Sequence, residues 1–176
     1  MRHFYYTAAL LAFLAVVPSE APAQDQSSAP KSDYLVFLRG TPIGSEEVTV
    51  ARDRAGITIT GSNRIGPPVS LQVRKITIRY DPSWAPIDFA LDATVRDQWT
   101  SVYTKVDQGV ATSDIREIGR QDTRTMKIAP DAVFLPNTFF GSYEALAARL
   151  ANMQPGAEIQ VFVVPQAVLT VRLNEA

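Results

Sequence analysis

Leu135-Pro136-Asn137-Thr138-Phe139-Phe140-Gly141-Ser142-Tyr143-Glu144-Ala145-Leu146-Ala147-Ala148-Arg149-Leu150 is the one stretch that reads as a long amphipathic helix. Phe139, Tyr143, Leu146, Leu150 and Met153 recur at the spacing of a single helical face, with Phe140 and Ala147 beside them. Pro136 stands where a helix start tolerates proline, and Pro155-Gly156 ends the pattern, so a helix is expected over about residues 137–153. A helix with one apolar face must bury it against something, and the rest of the chain offers only strands. The expected fold is therefore mainly β (α+β): a single curved antiparallel sheet, or incomplete barrel, with one covering helix near the C-terminus.

Upstream of the helix the strand signals follow one another. Tyr34 to Leu38 is a short apolar run, closed by turn-forming residues 40–44. Val48 and Val50 alternate with polar neighbours, and so do Ile57 and Ile59. In the long run from Val69 to Tyr80 the apolar phase slips. Val69, Leu71 and Val73 share one face, whereas Ile76, Ile78 and Tyr80 have the opposite parity, which points first to a β-bulge at Arg74-Lys75 and hence a curved sheet, and second to a strand buried on both faces or to two separate short strands. Strands at 87–95 and 99–106 follow. Two strands between Val110 and Lys127, polar on both faces, belong at a solvated end of the sheet, with Asp114 and Glu117 able to pair with Arg120 and Arg124. Downstream of the helix, Glu158–Val164 and Ala167–Leu173 form a closing hairpin, its first strand apolar enough to be central.

The beginning of the chain carries an address. Met1-Arg2-His3, the apolar run from Phe4 to Val17 and the small-residue site Ala21-Pro22-Ala23 have the form of a secretory signal over residues 1–23. Its apolar run is shorter than the roughly 20 residues that span a bilayer. The expectation is an exported protein, periplasmic or secreted, with no stable membrane anchor after signal cleavage. Residues 24–33 are polar and aperiodic, a disordered lead-in, and 34–176 form one β-rich domain. The remainder of about 150 residues is long enough for one ordinary core.

Composition removes most chemistry. The chain has no cysteine and one histidine, His3, which falls in the signal. Without either in the mature chain, serine–histidine and cysteine–histidine catalysis have no base, and zinc and copper lose their usual ligands. No Gly-x-Ser-x-Gly elbow, phosphate-cradling loop or dinucleotide fingerprint is present, so no catalytic residue, metal ligand or cofactor is expected. A net charge of −1 gives no reason to expect a nucleic acid partner. Carboxylate pairs are the remaining catalytic arrangement. Asp88 and Asp92 lie four apart on one strand face, roughly 13 Å by strand rise, wider than the about 5–9.5 Å of a glycosidase pair. They read as solvated, as do Glu46 and Glu47 beside a turn.

The aromatic residues are the better lead. Trp99, Tyr103, Phe139, Phe140, Tyr143 and Phe162, with Trp84, read first as core and second as the lining of an apolar cavity between helix and sheet. The expected function is accordingly a non-enzymatic domain that binds a hydrophobic ligand, a lipid or acylated group. The alternative is an accessory domain that docks a protein partner through a sheet edge or the helix.

The signal, the opening Tyr34-Leu35-Val36-Phe37-Leu38-Arg39-Gly40-Thr41-Pro42-Ile43-Gly44, the meander and the Leu135-Pro136 helix segment together resemble uncharacterised exported bacterial β-domains. These are in turn similar to the periplasmic lipoprotein-carrier and lipoprotein-receptor (LolA/LolB-like) half-barrels. That resemblance implies an incomplete barrel with an apolar cavity, although such carriers have more than one covering helix. The helix segment is also similar to a region preceding the catalytic domain of some secreted α/β hydrolases, which implies the accessory role.

Overall fold

The computed structural model describes residues 29 and 31–174; the expected signal and all but the last few residues of the lead-in lie outside them. Eight strands run as a simple antiparallel meander: β1 (Lys31–Leu38), β2 (Thr41–Asp53), β3 (Gly56–Ile65), β4 (Leu71–Tyr80), β5 (Pro86–Val95), β6 (Gln98–Asp107), β7 (Val110–Glu117) and β8 (Arg120–Lys127). Among the described residues the first and last strands do not pair, so the sheet has two edges and is not closed into a barrel. The mainly β class with one short helix near the C-terminus is as expected. β1 begins at Lys31, so the last residues assigned to the lead-in are strand.

Turn chemistry explains the tight meander. The β1–β2, β5–β6 and β6–β7 hairpins turn on Arg39–Gly40, Arg96–Asp97 and Gln108–Gly109, all with positive φ at both positions. That is the backbone geometry whose twist matches the flanking strands. Thr41 to Gly44 are therefore strand and not turn, and Ile43 is the extra residue of a bulge opposite Val36 and Phe37.

The predicted phase slip in β4 is present. Val73 faces Ala93 and Lys75 faces Asp92 across β5, while Val73 and Ile76 face Asn63 and Gly61 across β3. Both neighbours register one extra residue at Arg74, which leaves Leu71, Val73, Ile76, Ile78 and Tyr80 all buried on the inner face.

The closing hairpin builds a separate layer. β10 (Glu158–Val163) is central between β11 (Ala167–Arg172) and a two-residue strand, β9 (Val133–Phe134), in a three-stranded sheet. It covers the inner face of the large sheet through an aromatic column: Phe134 stands 5.9 Å from Tyr80 and 6.0 Å from both Phe89 and Phe162. The Tyr80 hydroxyl, fully enclosed, accepts a hydrogen bond from the Phe134 N–H at 3.0 Å, and burial pushes its ionisation upward.

The helix is shorter than its periodicity suggests. Phe139 is extended, a 3-10 turn covers Phe140–Ser142, and α1 runs only over Tyr143–Leu150. The 3.6-residue period is broken between Phe139 and Tyr143, so Phe139 is buried while Tyr143 faces outward at 51% exposure, and Ala145 and Leu146 make the buried face. The charges of the last hairpin also pair otherwise than expected. Arg120 and Arg124 both approach Asp122, at 3.9 and 3.1 Å, and Asp114 accepts from the Thr123 hydroxyl.

Candidate functional site: an apolar edge strand and the groove beside it

The two edges of the large sheet are opposites. β8 carries Arg120, Asp122, Arg124 and Lys127, the charged composition with which sheet edges are normally protected. On β1, Tyr34, Leu35, Phe37 and Leu38 are 40%, 69%, 56% and 40% exposed. An edge strand also presents a row of backbone N–H and C=O groups without strand partners, so β1 combines an open hydrogen-bonding edge with unburied apolar side chains. Leu35 stands opposite Ser45 on the outer face and Tyr34 opposite Glu46 on the inner face.

Glu46 explains how the inner side of this edge is built. Expected to be solvated like its exposed neighbour Glu47, it is instead fully buried within β2. Its Oε2 accepts from Asn63 Nδ2 and from the Phe140 N–H, both at 3.0 Å, and its Oε1 accepts from the Gly141 N–H at 2.5 Å. Asn63 in turn donates to the Thr138 carbonyl at 2.6 Å and accepts from the Val73 N–H. A carboxylate from β2 thus holds the first N–H groups of the 3-10 turn, where a helix start favours negative charge. Phe139 seals the joint: a Cβ on Gly61 would meet its ring at 2.6 Å, and one on Gly141 would meet it at 2.7 Å, so only glycine lets the ring lie between them.

Held there, the 3-10 turn and α1 leave a groove of about 230 Å³ against β1, lined by Tyr34, Phe140, Gly141, Tyr143, Glu144 and Ala147. The Tyr34 hydroxyl donates to Glu144 Oε1 at 3.0 Å across it, a bond that raises the tyrosine's ionisation above its ordinary value. Phe140 is half exposed. The groove is apolar in its walls and crossed by a single polar tie.

The six aromatic residues expected to line one cavity are divided among three places. Phe140 and Tyr143 line the groove. Phe139 lies buried and Phe162 belongs to the aromatic column, so both are packing residues. Trp99 and Tyr103 sit on the outer face of β6, where Trp99 Nε1 donates to Asp92 Oδ1 at 2.9 Å and Tyr103 borders an open depression of mixed lining that includes Lys75, Arg79, Ala90 and Leu91. Trp84 stacks near Tyr80 at 5.4 Å with Arg52 above it.

The two acidic residues weighed as a catalytic pair are each committed to a partner. Asp92 is paired with Arg74 at 2.5 Å, which with Trp99 holds its ionisation below the usual carboxylate range. Asp88 is buried rather than solvated and accepts both Nε and Nη2 of Arg79. Among the described residues no cluster of three or more acidic, histidine or cysteine side chains is arranged to hold a metal ion. A second crevice, of about 240 Å³, lies where Leu91, Val102 and Ile115 face Val164 and Pro165, with Asn137 and Gln166 hydrogen-bonded to each other at its mouth.

Tyr34, Leu35, Phe37 and Glu46 were not nominated from the sequence. An unbroken apolar run such as 34–38 has the form of a strand buried on both faces, and only its pairing partner shows it to be an edge.

No family model, curated protein or solved structure matches this chain.

Proposed function

We propose that the chain is an exported, non-enzymatic interaction domain that adds an extended segment of a partner protein to the free edge of β1, with the partner's apolar side chains entering the groove under Tyr34. The observation that carries this reading is the contrast between edges, β8 charged and β1 apolar and exposed. It also discriminates between ligand classes. An acyl chain would fill the groove but leave the backbone row of β1 unpaired, whereas an added strand uses both, by main-chain hydrogen bonds and alternate side-chain pockets. About 230 Å³ is below the usual range for a small-molecule site, roughly 300–1,000 Å³, and suits one or two side chains better than a lipid. The chain's overall resemblance to exported β-domains, themselves similar to carrier half-barrels, and the helix segment's similarity to hydrolase accessory regions both accord with a binding role, and the docking role is the one this edge supports.

A fluorescently labelled peptide of alternating valine and threonine, flanked by lysines, tests it by anisotropy. Binding is expected, weakened at least about tenfold by Leu35→Lys or Phe37→Lys, since an edge lysine opposes strand addition. Binding unchanged in both variants contradicts the reading.

A further inference from the structure

Resting on the strand-docking reading, we propose that the partner at β1 is a second copy of this chain, joined antiparallel about a two-fold axis through Val36. In a continuous antiparallel sheet, opposed residues share a face, and a two-fold axis normal to the sheet keeps inner residues inner. Only residues of equal parity can then meet, which leaves few registers to compare.

Centred on Val36, the contacts made by residues 33–39 are complementary. Leu35 of one copy meets Phe37 of the other on the outer face, joining the two most exposed apolar side chains of the strand. Tyr34 meets Leu38, which this register carries to the groove walled by Tyr34, Phe140 and Tyr143. Asp33 meets Arg39, twice by symmetry. Among the described residues neither Asp33 nor Arg39 forms an ion pair within its own chain, whereas the neighbouring Lys31 is already paired with Glu47 at 3.1 Å. Arg39 ends the strand in the left-handed turn, φ 50, next to the last paired residue, Leu38.

The adjacent registers fail on the same criteria. Centring on Leu35 sets Lys31 against Arg39 and Phe37 against Asp33. Centring on Phe37 sets Leu35 against Arg39 and carries Asp33 past the end of the partner's strand. Like charges or a charge against an aliphatic side chain oppose both. Two copies paired through Val36 would form one sheet of sixteen strands, with the charged β8 edges outermost.

Sedimentation velocity over a concentration series tests the proposal. The protein is expected to associate to twice its monomer mass, more weakly as salt is raised. Asp33→Arg and Arg39→Asp are each expected to raise the dimer dissociation constant at least about tenfold, and the double exchange to restore it to within about threefold of the parent. Because the chain has no cysteine, Val36→Cys reports the register directly. It should cross-link to a dimer under mild oxidation while Leu35→Cys, opposite Phe37, does not. A monomer at every concentration, a charge exchange that fails to restore association, or cross-linking through position 35 and not 36 overturns the proposal. A monomer whose β1 still binds the valine–threonine peptide leaves the strand-docking reading standing; a monomer that binds no peptide removes both.

Discussion

Glu46 is the residue on which the site turns. Three N–H donors converge on its carboxylate from two distant parts of the chain, the Asn63 and Gly141 bonds buried and the Phe140 bond part-buried. Glu46→Ala leaves the Gly141 N–H and one N–H of the Asn63 amide buried without an acceptor, each costing about 1–3 kcal/mol, so a loss of about 2 kcal/mol or more is expected by chemical denaturation. Glu46→Gln keeps one acceptor oxygen and should cost distinctly less. Gly61→Ala is expected to destabilise by about 1–3 kcal/mol through overpacking, since its Cβ would meet the Glu47 carbonyl at 2.2 Å as well as the Phe139 ring. None of this was legible locally. Glu46 and Glu47 look alike in sequence, and what separates them is the strand alternation that turns one inward toward partners 17 to 95 positions away. Asp88 escaped for the same reason: its arginine lies across the sheet on β4.

Among elements, the β4 strand was the most legible and the helix the least. A parity change between Val73 and Ile76 has few physical causes, and the bulge at Arg74 is the one that keeps both apolar sets on the inner face. Periodicity failed at the helix start because Phe139 is apolar for a different reason from Leu146: it packs on two glycines ahead of the helix, outside the helical phase. Deleting Arg74 should therefore remove the bulge yet leave Val73 opposite Ala93 and Ile76 opposite Leu91 with both apolar sets inward, so a cooperative thermal transition is expected to survive; deleting Thr77 instead puts Ile76 and Ile78 on opposite faces and is expected to abolish it. The β4–β5 turn has its own signature. Asp81 accepts from the N–H groups of Ser83 and Ala85 and from the Ser83 hydroxyl, which lowers its ionisation. A carboxylate with a depressed folded value contributes stability that is present above its unfolded value of about 3.9 and lost as pH falls through the lower folded one. Asp81→Asn should accordingly flatten the acid limb of a stability–pH profile below about pH 4, and Asp92→Asn should do the same.

At the scale of the whole molecule, the open meander, the single covering helix and the closing hairpin were all readable, because each depends on a local period. The second sheet was not, since β9 is two residues long and exists only by pairing with β10. Nor was the edge: strand order decides which apolar run stays uncovered, and strand order is a property of the assembled sheet. The proposed docking strand is β1, and not β8 or the crevice near Val164. Amide hydrogen exchange with and without the valine–threonine peptide tests this most directly. Slowed exchange confined to residues 31–38 and the groove residues 140–147 is the predicted result, with 120–127 and 164–166 unchanged. Protection at β8 or the crevice, or none at β1, would contradict it.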